Sequence, residues 1–120
     1  MFYSRPLQIA LLFVCGVTAV SAKEPGMVLG AGASTCGQYL NFKKDPKRVS
    51  TARMMFSWVQ GYFSARNAMG HTERMLTVGG SVSADTLESM LADQCTNEGE
   101  STTVWIAADD LYDKLRQKGM

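Results

Sequence analysis

A single histidine, three prolines and three cysteines in 120 residues leave this chain short of the side chains that most catalysis and metal chemistry use. The histidine, His71, sits in a Gly-flanked loop with Glu73 two residues on, a setting that reads as exposed surface rather than as a base or a metal ligand. No second Cys or His stands at ligand spacing from Cys36 or Cys95. No Gly-rich phosphate loop follows a strand, and no carboxylate pair has a spacing that defines acid–base geometry. The methionines recur at helical core spacing instead of in the Met-x-x-Met clusters suited to copper. We therefore expect a protein that is not an enzyme and needs no metal or cofactor. Charge of one sign is missing too, with 12 Lys and Arg against 11 Asp and Glu. That balance argues against nucleic acid or anionic lipid as a partner, since both call for a cationic excess. Strand-like alternation and internal repeats are absent after the first 22 residues, which excludes a sheet fold and a repeat array.

The N-terminus carries a targeting pattern. Met1–Gln8 holds Arg5 and no acid, Ile9–Val20 is apolar, and Val20-Ser21-Ala22 offers small residues at a cleavage position. This predicts a secretory signal peptide over residues 1–22, cut after Ala22 and directing the chain to the periplasm. The apolar run is short of the ~20 residues that span a bilayer, so no membrane association is expected after cleavage. Lipid attachment at Cys15 is disfavoured by the bulky Val14 before it. Cleavage would remove Arg5 and Cys15, leaving eleven Lys and Arg, eleven Asp and Glu, and two cysteines. Two cysteines in an exported chain predict one disulfide, Cys36–Cys95. Closing a loop of that length is worth about 4 kcal/mol in the chain-entropy model, a large share of the stability of a domain this small.

The remaining periodicity is helical. Residues 23–34, rich in Gly, predict a flexible lead-in to a single domain over 35–120. A short helix is expected at Cys36, with Ser34 or Thr35 as its cap and Cys36, Tyr39 and Leu40 on one face. A basic turn, Asn41–Arg48, leads into Val49–Met69, which has no Pro and offers Ser50 and Thr51 as caps. Its stripe of Ala52, Met55, Val59, Tyr62 and Met69 and a second one of Phe56 and Phe63 predict a long central helix covered on more than one side. Ser57, Gly61 and Ala65 form a column of small residues. Gly inside a helix costs about 1 kcal/mol, which predicts a neighbouring helix crossing at Gly61. After the loop Gly70–Val82, Ser83 caps Ala84–Cys95, whose apolar face is Ala84, Leu87, Met90, Leu91 and Cys95. A last helix is expected from Ser101 or Thr102 to Lys118, with Gly119 as its stop and Asp109, Asp110 and Asp113 facing solvent. The fold class is all-α, a small bundle of about four helices around one long central helix.

The order of these features, Cys36 with Tyr39 close behind, WVQGYFSARN over Trp58–Asn67, then TLESMLADQC and a terminal amphipathic helix, resembles the HdeA/HdeB-like small exported helical proteins and the related Rap/Tai-type immunity proteins. Many relatives place a Pro soon after the second Cys, where this chain reads TNEGES, and an aromatic residue just before it, where Asp93-Gln94 stands. The resemblance implies action by protein–protein contact, with two candidate roles. One is an acid-stress chaperone, a homodimer at neutral pH that separates in acid and binds unfolding clients. Below about pH 3 the carboxylates protonate while Lys, Arg and His71 stay charged, taking the chain from near 0 to about +12. The other is an immunity protein that blocks a periplasmic or secreted toxin enzyme, using Asp93, Glu98 and Glu100 or the Asp109–Asp113 face. The candidate core or binding surface is Met55, Phe56, Trp58, Gly61, Tyr62 and Phe63, with Met54 joining it if left bare; soft Met side chains suit adaptable contacts.

Overall fold

The computed structural model describes residues 30–70 and 77–120. The expected signal segment, most of the lead-in, and His71 and Glu73 lie outside the described residues. Four α-helices follow a 3-10 turn at Gly30–Ala33: α1 over Cys36–Lys44, α2 over Val49–Met69, α3 over Ala84–Glu98 and α4 over Val104–Gln117. The protein is an all-α bundle stapled by one disulfide, Cys36–Cys95.

Local chemistry sets several helix ends where the sequence placed them, while α3 runs on to Glu98, past the expected end at Cys95, and α4 starts at Val104, not at Ser101 or Thr102. Thr35 caps α1 in a capping box, accepting from the Gln38 backbone N–H while the Gln38 side chain accepts from Thr35 N–H. Ser83 Oγ accepts from Thr86 N–H and caps α3. Gly119, at φ +71°, terminates the chain's last turn in a conformation that favours glycine. The capping of α2 differs, although its range is the expected one. Ser50 and Thr51 already lie inside it, and Arg48 holds the N-cap position with no side-chain cap bond. The cause is the Asp45-Pro46 turn, in which the Asp45 carboxylate accepts from Lys47 N–H and its carbonyl from Arg48 N–H. That turn ends α1 and delivers the chain straight into the first turn of α2, where Arg48 O accepts from Thr51 and Ala52 N–H.

One strap organises the N-terminal side of the bundle. Cys36 N–H donates to Thr102 O at 2.7 Å, Gly37 N–H to Glu100 O at 3.0 Å, and Val104 N–H to Ser34 O at 2.8 Å. The entry to α1 is therefore stitched to the α3–α4 turn, beside the disulfide, whose two cysteines are fully buried with Cα atoms 5.1 Å apart. Residues 30–33 belong to the folded domain as well. Gly32 is buried against the Trp58 indole so closely that a Cβ there would sit 2.2 Å from a ring carbon. The lead-in expected through residue 34 thus ends earlier, because a glycine lets backbone lie flat on the ring.

The core takes Cys36 and Tyr39 from α1, Ala52, Met55, Phe56, Val59 and Phe63 from α2, and Leu87, Leu91 and Cys95 from α3. From α4 it takes Val104, Ala107, Ala108, Leu111, Tyr112 and Leu115. The two stripes expected on α2 merge into one buried face, because Met55, Phe56, Val59 and Phe63 fall within one arc at 100° per residue. Ala84, expected in the α3 face, is exposed in the first turn, and Met69 ends α2 exposed.

Replacing both Cys36 and Cys95 by Ala should lower the free energy of unfolding by about 4 kcal/mol, from loop-closure entropy over a sequence separation of 59. Urea denaturation of the variant against the oxidised protein checks this, and a loss under ~1 kcal/mol would show that the strap, not the disulfide, fixes the junction.

Candidate functional site

Two surfaces of α2 carry the arguments for function, and they have opposite character. The first faces α4. Tyr62 and Arg66, one turn apart on α2, meet Asp109 and Asp113, one turn apart on α4. Tyr62 Oη donates to Asp109 Oδ1 at 2.5 Å, Arg66 Nη1 to the same oxygen at 2.7 Å, and Arg66 Nη2 to Asp113 Oδ1 at 3.3 Å. The Arg66 guanidinium also lies 4.0 Å from the Tyr112 ring centre, in cation–π geometry. Tyr112 Oη donates in turn to Asn67 Oδ1, which also accepts from Val78 N–H, while Asn67 Nδ2 donates to Val78 O. Asn67 thereby fastens residues 77–79, the described end of the loop, to the bundle. Burial, followed by the hydrogen bond to Asp109 and its charge, pushes the Tyr62 phenol up to about 12, with Arg66 acting in the other direction. Donors and acceptors in this network are matched to one another. It is a clamp.

Asp109 is therefore not the solvent-facing acid that the sequence suggested. Helical spacing placed it beside Asp113 on one face, but only the pairing of α4 with α2 brings Arg66 against them. The signal was present as two i,i+4 pairs, Tyr62/Arg66 and Asp109/Asp113, of complementary chemistry.

The second surface is the opposite side of α2. Arg53, Met54, Ser57, Gln60, Gly61, Ser64, Ala65, Ala68 and Met69 are exposed along it. Met54 is 63% and Met69 73% exposed, although neither carries a polar group. Nothing lies within 4 Å of a Cβ built on Gly61. The expected helix crossing at Gly61 is thus overturned: it lies about 200° around the helix from the buried Val59, so the small-residue column faces outward. Ser57 Oγ donates to Arg53 O and Ser64 Oγ to Gln60 O, each four residues back. These hydroxyls are turned onto their own helix, which leaves the face smoother and less polar than its composition implies. α2 contains no acid, so apart from Arg53 this face is uncharged.

The six candidate residues divide accordingly. Met55, Phe56 and Phe63 are buried core. Trp58 and Tyr62 are half-buried and stack on one another, with ring centres 5.5 Å apart and planes 5° from parallel. Phe63 meets Tyr112 edge-on at 5.2 Å. Gly61 alone lies on the open face, and Met54 joins it. The acids of the alternative patch also divide, since Asp93 and Glu100 are exposed while Glu98 is half-buried in an α3–α4 groove. Of the expected basic turn Asn41–Arg48, the first four residues belong to α1, where Lys43 pairs with Glu88 at 3.3 Å and the Phe42 ring lies under Arg48.

A cavity of about 210 Å³ lies between α2, residues 77–82 and α3, lined by Gln60, Phe63, Asn67, Val78 and Leu87 among others. Among the described residues no three His, Cys, Asp or Glu side chains converge as metal ligands, and no helix is long and apolar enough to cross a membrane. Compared with protein-family models, curated proteins and solved structures, the chain matches none.

Two substitutions separate these surfaces. Gly61→Ala should stabilise the protein by up to about 1 kcal/mol, because the added methyl meets open space and the helix loses a glycine; a lower thermal midpoint would mean that something packs on Gly61 in solution. Arg66→Met should cost about 1–2 kcal/mol, discounted for partial solvent exposure. Raising the salt concentration should narrow that difference, and Arg66→Lys should recover only part of it, since Lys cannot hold two carboxylates in a planar fork.

Proposed function

We propose that this is an exported, non-catalytic protein that acts by binding other proteins through the open face of α2, in the manner of the acid-stress chaperones that its sequence resembles. The observation that carries this reading is the bare length of the central helix. From Met54 to Met69 the longest helix of the bundle presents methionine, glycine, alanine, inward-turned serine and one amide, Gln60, to solvent, with no acid. Small residues permit close backbone approach, and methionine fits irregular partners. A second copy offers the same surface, so two copies can cover it for each other at neutral pH.

Acid alters the rest of the molecule and leaves this face alone. Its only ionisable side chain, Arg53, stays charged throughout. Elsewhere the carboxylates protonate, and the exported chain moves toward about +12 below about pH 3. Repulsion between like-charged copies then favours separation, which frees an unchanged apolar face for clients. The compartment follows from the same premise, since a single disulfide belongs to an oxidising environment.

The test is light scattering of an aggregation-prone client at pH 2.5, with sedimentation at pH 7 and pH 2.5. The wild-type protein is expected to sediment as a dimer at pH 7 and a monomer at pH 2.5, and to suppress scattering at the lower pH. Ala65→Arg, on the exposed column, should weaken the dimer and suppression by several-fold without lowering stability. A monomer at both pH values that suppresses nothing would sink the chaperone reading. Co-purification of one enzyme partner at neutral pH would then favour the immunity-type alternative.

A further inference from the structure

At the far end of α3 from its Ser83 cap, Glu98 stands in a position that ordinary surface glutamates do not occupy. Its Oε1 accepts from Gln94 Nε2, while its Oε2 is buried and meets no donor among the described residues. The backbone around it is held. Gly99 N–H donates to Cys95 O, Thr102 Oγ1 donates to Glu98 O at 3.1 Å, and the disulfide fixes Cys95 one turn earlier. The position of the Glu98 backbone beside α4 is therefore set.

Asp110 of α4 lines the same groove as Glu98, on its other side. Two ionised carboxylates are both acceptors and repel. They form a hydrogen bond only when one of them carries a proton. A buried Glu98 oxygen that meets no donor, in a groove shared with a second carboxylate, is an arrangement that one shared proton would satisfy.

We infer that Glu98 and Asp110 form a proton-sharing clasp between the end of α3 and α4, which tightens the fold on mild acidification and loosens it toward neutral pH. Of the other charged groups around the clasp, only Lys114 acts against it, by its charge and not by an ion pair. From α4, Asp113 lines the same groove but is paired with Arg66. Lys114 reaches into the groove, where its Nζ donates to Gln94 Oε1 at 2.7 Å rather than to either acid. From α3 the groove receives only the amides of Gln94 and Asn97, and from the end of α4 that of Gln117. Lys43 of α1, packed against another part of α3, is taken up by Glu88.

Burial, then the Asp110 hydrogen bond, hold the Glu98 carboxyl above its ordinary value of 4.5, while Gln94 and Lys114 pull it back. The sign of the linkage follows. The folded state binds this proton more tightly than the unfolded chain, so the contribution is fully present below pH 4.5 and is lost as pH rises through the folded value. Ion pairs such as Arg66–Asp109 behave in the opposite sense, because they need ionised carboxylates. The clasp does not rest on the chaperone reading and goes beyond it.

Two measurements test the clasp. In the first, urea unfolding of the wild-type protein and of Glu98→Gln is compared at pH 7.5, 6, 5 and 4.5 and constant ionic strength. Gln supplies a permanent amide donor to Asp110, so the variant should be more stable than the wild type at pH 7.5. The ratio of their unfolding constants should then shift toward the wild type by more than roughly threefold by pH 4.5, above the extrapolation error of such curves. Parallel profiles would overturn the clasp. In the second, side-chain carboxyl ¹³C shifts of the wild-type protein are followed through the same range, which needs no variant to fold. Glu98 should titrate above the other glutamates, and its coincidence with them would equally overturn the inference. Neither result depends on client binding or on oligomeric state.

Discussion

Everything in this bundle is referred to one junction, where Cys36 at the start of α1 meets Cys95 near the end of α3. The bond alone would leave a hinge, since a disulfide permits rotation about its own torsions. What makes the junction rigid is the strap beside it, in which residues 34–37 exchange backbone hydrogen bonds with residues 100–104. Covalent link and strap together fix the directions of α1, α3 and α4 at one point. α2 has no covalent share in this arrangement. It is held by its buried stripe, by the Asp45 turn and by the clamp of Tyr62, Arg66 and Asn67.

That division explains why the longest helix can be one-sided. A helix gripped at one end by a tight turn and along one flank by charge-assisted hydrogen bonds does not need cover on its far side. Met55, Phe56, Val59 and Phe63 supply the apolar burial, and the clamp supplies direction. The opposite face is free to be small and uncharged. Gly61 marks the difference between the two sides. The same glycine that would admit a crossing helix in a core lies here on a surface with nothing within 4 Å of its missing side chain.

The features legible in the sequence were those decided by neighbours in the chain. Thr35 and Ser83 cap their helices through partners three residues away, and the disulfide followed from counting cysteines once Cys15 was set apart. The spacing of Leu87, Leu91 and Cys95 placed the inner face of α3 correctly. What escaped depends on which helix lies against which. Asp109 reads as solvated on α4 alone and becomes an internal partner only beside Arg66. Gly61 has a helix-propensity cost that close packing and open exposure explain equally well, so no local rule chooses between them. The range of α2, Val49–Met69, was legible, but not its cap: hydrogen bonds to Asp45, across a proline, lead into the helix where Ser50 or Thr51 was expected to cap it. Glu98 and Asp110 lie twelve positions apart in sequence and meet only because the strap fixes the turn between them.

The open face and the acidic clasp make different demands on pH, and the difference is what would let one small domain serve in acid. A protein meant to release a partner at low pH risks unfolding altogether, because its ion pairs fail as their carboxylates protonate. Here those pairs, Arg66 with Asp109 and Asp113 and Lys43 with Glu88, hold α2 to α4 and α1 to α3. The clasp at Glu98 instead joins α3 to α4 and gains from the same protons. The disulfide is indifferent to them, and it ties α1 to α3 where the ion pair would fail. Acid weakens the ion pairs that join α2 to α4 but not the buried apolar stripe that also holds α2. On the proposed reading, the helix that carries the binding surface keeps its buried side on the core, while the covalent junction and the protonated clasp keep the other three helices together.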